Sequence, residues 1–199
     1  MKNKTAFTLI EMLTSIGIIV MVTAIFLANY RTSNRRSDLL MTAQKVVADI
    51  HAAQNNTLGL VNYGDSFPAG GWGINFDIGR EGGNQQYILF ADLNSPEVGE
   101  TGEEIPADYD YMRYNEGEGS PSLGARTVDL PNGIIIDSIE TSNGGTDMAN
   151  ITFLPPDPRT NIFDGNDKAK YLIITLKDEN EGTIKKVRAN FLGLAEVIN

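Results

Sequence analysis

Between Phe7 and Asn29 the chain carries one charged side chain, Glu11, in a run dominated by Ile, Leu, Val, Met and Ala. A helix needs roughly 20 mostly apolar residues to cross the hydrocarbon core of a bilayer, and this run is long enough. Lys2 and Lys4 stand just before it, the positive flank expected on the cytoplasmic side. A carboxylate inside such a helix is costly unless it is compensated, so Glu11 either sits solvated at the headgroup level or meets a positive group. No Lys or Arg lies inside the run to serve.

The residues Lys4-Thr-Ala-Phe-Thr-Leu-Ile-Glu-Met-Leu resemble the class III leader and processing site of type IV pilins and pseudopilins. The resemblance implies that a membrane-embedded prepilin peptidase cuts between Ala6 and Phe7 and that the new amino group of Phe7 is methylated. It makes Glu11 the family's acid at the fifth place of the mature chain, and it supplies the missing cation. The amino group of Phe7 on one subunit can pair with Glu11 of its neighbour, strongly so in low dielectric. Two positions depart from the family's pattern. Ala6 stands where Gly is usual, and Ala28 where many members carry a Pro, so no kink is expected there. An ordinary secretory signal would end in a small-x-small cleavage pattern, which Asn29-Tyr-Arg-Thr-Ser lacks.

Removing the apolar run from the 199 residues leaves a remainder of single-domain size, enough for a real core. The chain contains no Cys, which removes thiolate chemistry, disulfides and Cys-based metal sites together. An exported head must then be stable through packing alone. The formal net charge of -10 disfavours a nucleic-acid surface, because phosphate binding rests on clustered Lys and Arg.

Arg31, Arg35 and Arg36 follow the apolar run and blunt the charge asymmetry across it. From Asp38 the pattern becomes amphipathic: Leu39, Ala43, Val46, Ile50 and Ala53 recur at helical spacing, with Leu40 and Val47 widening the stripe. The economical reading is one long helix over 7–57, membrane-spanning over 7–30, its second half packed against a sheet. Asn55-Asn-Thr, Gly59 and Gly64 supply its stop.

After the helix, β-rich runs alternate with Gly, Pro, Asn and Asp. The expected strands are Trp72 to Asp77, Gln86 to Ala91, Arg126 to Leu130, Gly133 to Ile139, Asn150 to Leu154, Tyr171 to Leu176 and Ile184 to Phe191. Gly79 to Asn84, Pro131-Asn-Gly and Asp178-Glu-Asn-Glu-Gly read as turns, and Pro155-Pro-Asp-Pro as a strand stop. One helix followed by these runs argues for an α+β chain: a long helix covering one face of an antiparallel sheet or of two packed sheets. The expected organisation is a leader at 1–6, the helix at 7–57, and an exported β-rich head at 58–199 with an acidic loop over 92–122. Gly71-Trp-Gly-Ile-Asn-Phe-Asp and Tyr87-Ile-Leu-Phe-Ala-Asp look like the body of H-type minor pseudopilins of type II secretion and related minor pilins. That resemblance implies the pilin fold.

The acidic loop offers hard oxygen ligands of the kind calcium takes, with Asp92, Asn94, Asp108 and Asp110 as candidates. Asp92-x-Asn94 lacks the following Gly and closing Glu of a calcium loop, and Asp164-Gly-Asn-Asp167 is similarly incomplete, so a solvated loop without cofactor is the default reading. His51, the only histidine, falls off the apolar stripe and reads as a surface or boundary residue. No nucleophile elbow, phosphate loop or dinucleotide fingerprint appears, and nothing in the chain selects an enzyme. Trp72 reads as sheet core before partner anchor. Lys168, Lys170, Lys177, Lys185, Lys186 and Arg188 gather late in the chain, but five acids interleave with them. The resemblance to minor pilins, some of which bind DNA through their C-terminal part, leaves a surface-exposed ligand-binding minor pilin, for DNA or adhesion, as the alternative. The expected partners of the subunit are other pilin-like chains, the prepilin peptidase, the inner-membrane assembly platform and membrane lipid before assembly. Its expected location is the cytoplasmic membrane, single-pass with the head outside, and then a periplasmic or extracellular filament.

Overall fold

The computed structural model describes residues 8–65, 67–93, 126–154, 159–165 and 167–198. Helix α1 runs Leu9–Leu58, within two residues of the expected span at either end. Thr8 caps its first turn, next to Leu9. The helix ends where Gly59 and Val61 donate their N–H groups back to the carbonyls of Asn55 and Asn56 at 2.8 and 2.9 Å. By their internal contacts the residues fall into two units, 1–38 and 39–199, so the second half of α1 belongs to the globular head.

Within the head, Leu39, Ala43, Val46, Ile50 and Ala53 are buried, the stripe that helical spacing predicts. Each of the larger ones contributes about 1.5–3 kcal/mol by leaving water. Leu40 is 39% exposed, so the stripe is narrower than expected, and Thr42 is buried in its place. Val47 is partly buried against the core.

Among the described residues eleven strands form two antiparallel sheets. They are β1 Gly71–Asp77, β2 Gln86–Asp92, β3 Arg126–Asp129, β4 Ile134–Thr141, β5 Gly144–Thr146, β6 Met148–Leu154, β7 Arg159–Asp164, β8 Asp167–Ala169, β9 Tyr171–Asp178, β10 Ile184–Asn190 and β11 Ala195–Ile198. One sheet has the order β3-β2-β1-β6-β7-β8 and the other β11-β10-β9-β4-β5. All seven expected strands are present, and β5, β7, β8 and β11 are additional. The two-sheet form of the expectation holds. Pro131-Asn132-Gly133 is a tight turn, Ile134 N–H bonding the Pro131 carbonyl at 3.0 Å, but it links strands of different sheets.

One core joins the helix and both sheets. Trp72, Ile74 and Phe76 of β1 and Ala149, Ile151 and Phe153 of β6 meet Ile136, Ile139, Ile174 and Leu176 of the second sheet, with the α1 stripe among them. The alternate residues of the first sheet, including Asn75, Ile88, Phe90, Asn150 and Thr152, are buried as well. Both faces of β1, β2 and β6 are covered, which is why β2 reads as a dense apolar run without clean alternation.

The β1–β2 hairpin expected at Gly79 to Asn84 is present and contains a short 3₁₀ turn, Gly83–Gln85. Gly82 adopts φ 72°, and a Cβ on Gly83 would stand 1.8 Å from the Asp77 carbonyl oxygen. Both positions therefore need glycine.

Candidate functional site

The apolar segment Leu9–Leu27 of α1 is long and apolar enough to cross a membrane, and none of it is buried within the chain. Its polar groups are satisfied locally. Thr14 and Ser15 hydroxyls donate to the Glu11 carbonyl at 3.1 and 2.7 Å, and Thr23 donates to the Ile19 carbonyl at 2.7 Å. Helical hydroxyls that bond back to the preceding turn leave no free donor to face hydrocarbon.

Glu11 sits in the first turn. Its Oε2 accepts from the Thr8 N–H at 3.0 Å and from the Thr8 hydroxyl at 2.9 Å, while the Glu11 N–H donates to Thr8 Oγ1 at 3.3 Å. This is a capping box, two otherwise orphaned donors met reciprocally, with the acid also at the positive end of the helix dipole. The pattern Thr8-Leu-Ile-Glu11, a Thr followed three residues later by Glu before an apolar run, is the sequence signal of this cap. Ala6 and Phe7, the residues of the expected cut, lie outside the described residues.

Of the calcium candidates in the head, only Asp92 falls among the described residues. Asp92 ends β2 as a buried residue with its carboxyl group against Gly70, while Asn94, Asp108 and Asp110 lie outside the described residues, as does the rest of the acidic loop from 94 to 122. Asp164 is taken up by the Thr141 hydroxyl and by Asn143 Nδ2 at 3.3 Å. Among the described residues no three acids or histidines are placed to hold a metal ion.

Trp72 is nearly buried, its Nε1–H donating to the Val61 carbonyl at 3.0 Å and its ring edge-on to Tyr63 at 6.3 Å. It ties the segment after α1 to the sheet and is core, as its sequence setting suggests. His51 is half-buried on the helix. The late basic residues do not make one patch: Lys177 pairs with Asp137 at 3.0 Å and Arg188 lies 5.7 Å over the Tyr171 ring. Lys168 and Lys170 instead line a cleft with Phe191, which sequence reading did not single out.

One buried ionisable group stands at the helix–sheet contact. The Tyr87 hydroxyl donates to the Asp49 carboxylate, which also takes Lys45 Nζ at 2.8 Å. Burial, then the hydrogen bond and charge of Asp49, push the Tyr87 phenol far above its ordinary range, against a smaller opposing pull from Arg126. Such a phenol stays protonated and acts as a structural donor.

No family model, curated protein or solved structure matches the chain.

Proposed function

We propose that the chain is a structural subunit, a minor pseudopilin or minor pilin, stored in the cytoplasmic membrane by α1 and assembled through that helix into a filament. The observation that carries this reading is the uncovered apolar segment Leu9–Leu27 with one acid at its N-terminal turn. So much apolar helix surface, uncovered among the described residues, fits lipid first and other helices later. The sequence Ala6-Phe-Thr-Leu-Ile-Glu11 supplies the processing site, and the exposed Glu11 carboxylate supplies the acceptor for the Phe7 amine of a neighbour. The head follows the pilin plan in this reading, a helix laid on an antiparallel β-body, and faces outward in the periplasm or on the filament surface. No catalytic chemistry or cofactor is assigned to it.

Helix-to-helix packing at the filament axis excludes lipid and water, and the Phe7–Glu11 pair sets the axial register. The same device serves secretion and pilus machines, so the function proposed is assembly, with prepilin peptidase and an inner-membrane platform as partners. Intact mass and N-terminal sequencing from membranes, with and without the peptidase, test it. A mature chain beginning at methylated Phe7 only when the peptidase is present supports the reading. Persistence of Met1, or a cut beyond Ala28, overturns it.

A further inference from the structure

A cleft of about 300 Å³ opens between β7, β8 and the turn that follows β10, at the small end of the range that holds ligands. Lys168 and Lys170 line it beside Thr160 and Asn161, and Ile162, Ala169 and Phe191 give it an apolar wall. Among the described residues no carboxylate lines it, although Asp and Glu outnumber Lys and Arg by 26 to 16 in the chain. The Lys168 ammonium lies 5.7 Å over the Phe163 ring, and the Lys170 ammonium has no ion-pair partner among the described residues. Nearby Asp164 is held by Thr141 and Asn143. Two lysines on this rim, with no carboxylate among its described lining residues, give a local field that attracts an anion.

Charge alone would describe a site for any anion. Two further features narrow the class. Phe191 is 57% exposed, an open aromatic face of the kind against which the C–H surface of a sugar ring packs. The Thr160 hydroxyl is buried with no hydrogen-bond partner, an unmet group in the wall that a ligand hydroxyl can satisfy after a side-chain rotation. An inorganic anion would leave Phe191 unused, and a neutral sugar would leave both lysines unused.

We propose that this cleft binds a carboxylate-bearing pyranose, a uronic acid, with its carboxylate at Lys168 and Lys170 and its ring against Phe191. The site is independent of α1 and of the filament reading. The sugar can be free or the end of an acidic polysaccharide. The test titrates the full-length chain in detergent micelles with glucuronate, glucose and inorganic phosphate, followed by saturation-transfer NMR and calorimetry. Glucuronate binds, and glucose and phosphate bind about tenfold or more weakly, the worth of one charge-assisted contact. Lys170→Gln and Phe191→Ala each weaken glucuronate about tenfold while thermal unfolding is unmoved, both side chains being exposed. Tighter binding of a uronate tetramer than of the monomer assigns the polymer as source, and equal binding assigns the single sugar. Absence of glucuronate binding, equal affinity for glucose or phosphate, or variants that bind like the parent would overturn the proposal.

Discussion

Thr8 and Glu11 satisfy each other across the first turn of α1: the threonine gives its N–H and its hydroxyl to the carboxylate, and the glutamate gives its N–H back. Glu11 thus has a partner within its own chain before any subunit arrives. In the proposed assembly the same oxygens would be offered to a Phe7 amine of a neighbour, and a carboxylate can accept from several donors at once.

The two roles separate by mutation. Glu11→Ala leaves membrane insertion intact, since the helix becomes more apolar, and lowers incorporation into sheared, pelleted filaments by about tenfold or more. Thr8→Ala loses the cap but keeps the carboxylate, so it frays the first turn and incorporates far better than Glu11→Ala. Equal loss in the two variants, with insertion unchanged, would mean that the acid acts through the cap and not through pairing.

Thr57 bolts the end of α1 to the first sheet. Its hydroxyl, with one proton to share between the Phe153 carbonyl of β6 at 3.0 Å and the Ala53 carbonyl one turn back at 3.1 Å, accepts the Trp72 N–H of β1 at 3.3 Å, all within the core. Thr57→Val keeps the shape and leaves a buried donor and acceptor unmet, costing about 1–3 kcal/mol in urea unfolding of the full chain. Thr57→Ser restores most of the loss. A Val variant as stable as the parent would remove the bolt from the account.

The β1–β2 hairpin tests two neighbouring glycines against each other. Gly82 has a left-handed backbone but open space around a Cβ, so Gly82→Ala costs about 1–2 kcal/mol of backbone strain. At Gly83 the added Cβ meets the backbone carbonyl of Asp77, which cannot rotate away, and Gly83→Ala costs about 3 kcal/mol or more. Thermal unfolding ranks the two, and the reverse order would mean that the hairpin relaxes around position 83.

How legible this was in the sequence depends on the range of the interaction. The helix was readable because its stripe and its Asn-Gly stop are local, and the seven expected strands because runs with β-branched or aromatic residues lie between local turn and stop signals. β5 and β8 are three residues each, Gly-Gly-Thr and Asp-Lys-Ala, held by neighbours and not by propensity. β7 has only Ile162 and Phe163 as apolar signals, and β11 follows the exposed Leu192-Gly-Leu turn that reads as its own end. Which sheet each strand joins was not written locally, since Pro131-Asn-Gly specifies a turn but not whether the next strand pairs back. The cap at Thr8 was legible and missed. The cleft was not legible, because Thr160, Lys170 and Phe191 come together only through the β7–β8 hairpin and the turn after β10.

The Tyr87–Asp49 contact gives the head an alkaline limit. In the folded chain burial and the Asp49 charge keep the phenol protonated beyond the pH near 10 at which an unfolded tyrosine ionises. Between those two values the unfolded chain has lost a proton that the folded chain keeps, so stability from this group is complete below about pH 10 and falls as pH rises above it. Tyr87→Phe lacks this dependence. At neutral pH it costs about 1.5–3 kcal/mol, because Asp49 keeps only Lys45. The stability gap between parent and variant therefore stays constant up to about pH 9 and narrows above pH 10. Absorbance of tyrosinate reads the same event directly. Of the 7 tyrosines, the Tyr87 signal emerges only with unfolding, whereas a tyrosine titrating freely at position 87 in the folded chain would show that the contact with Asp49 does not persist in solution.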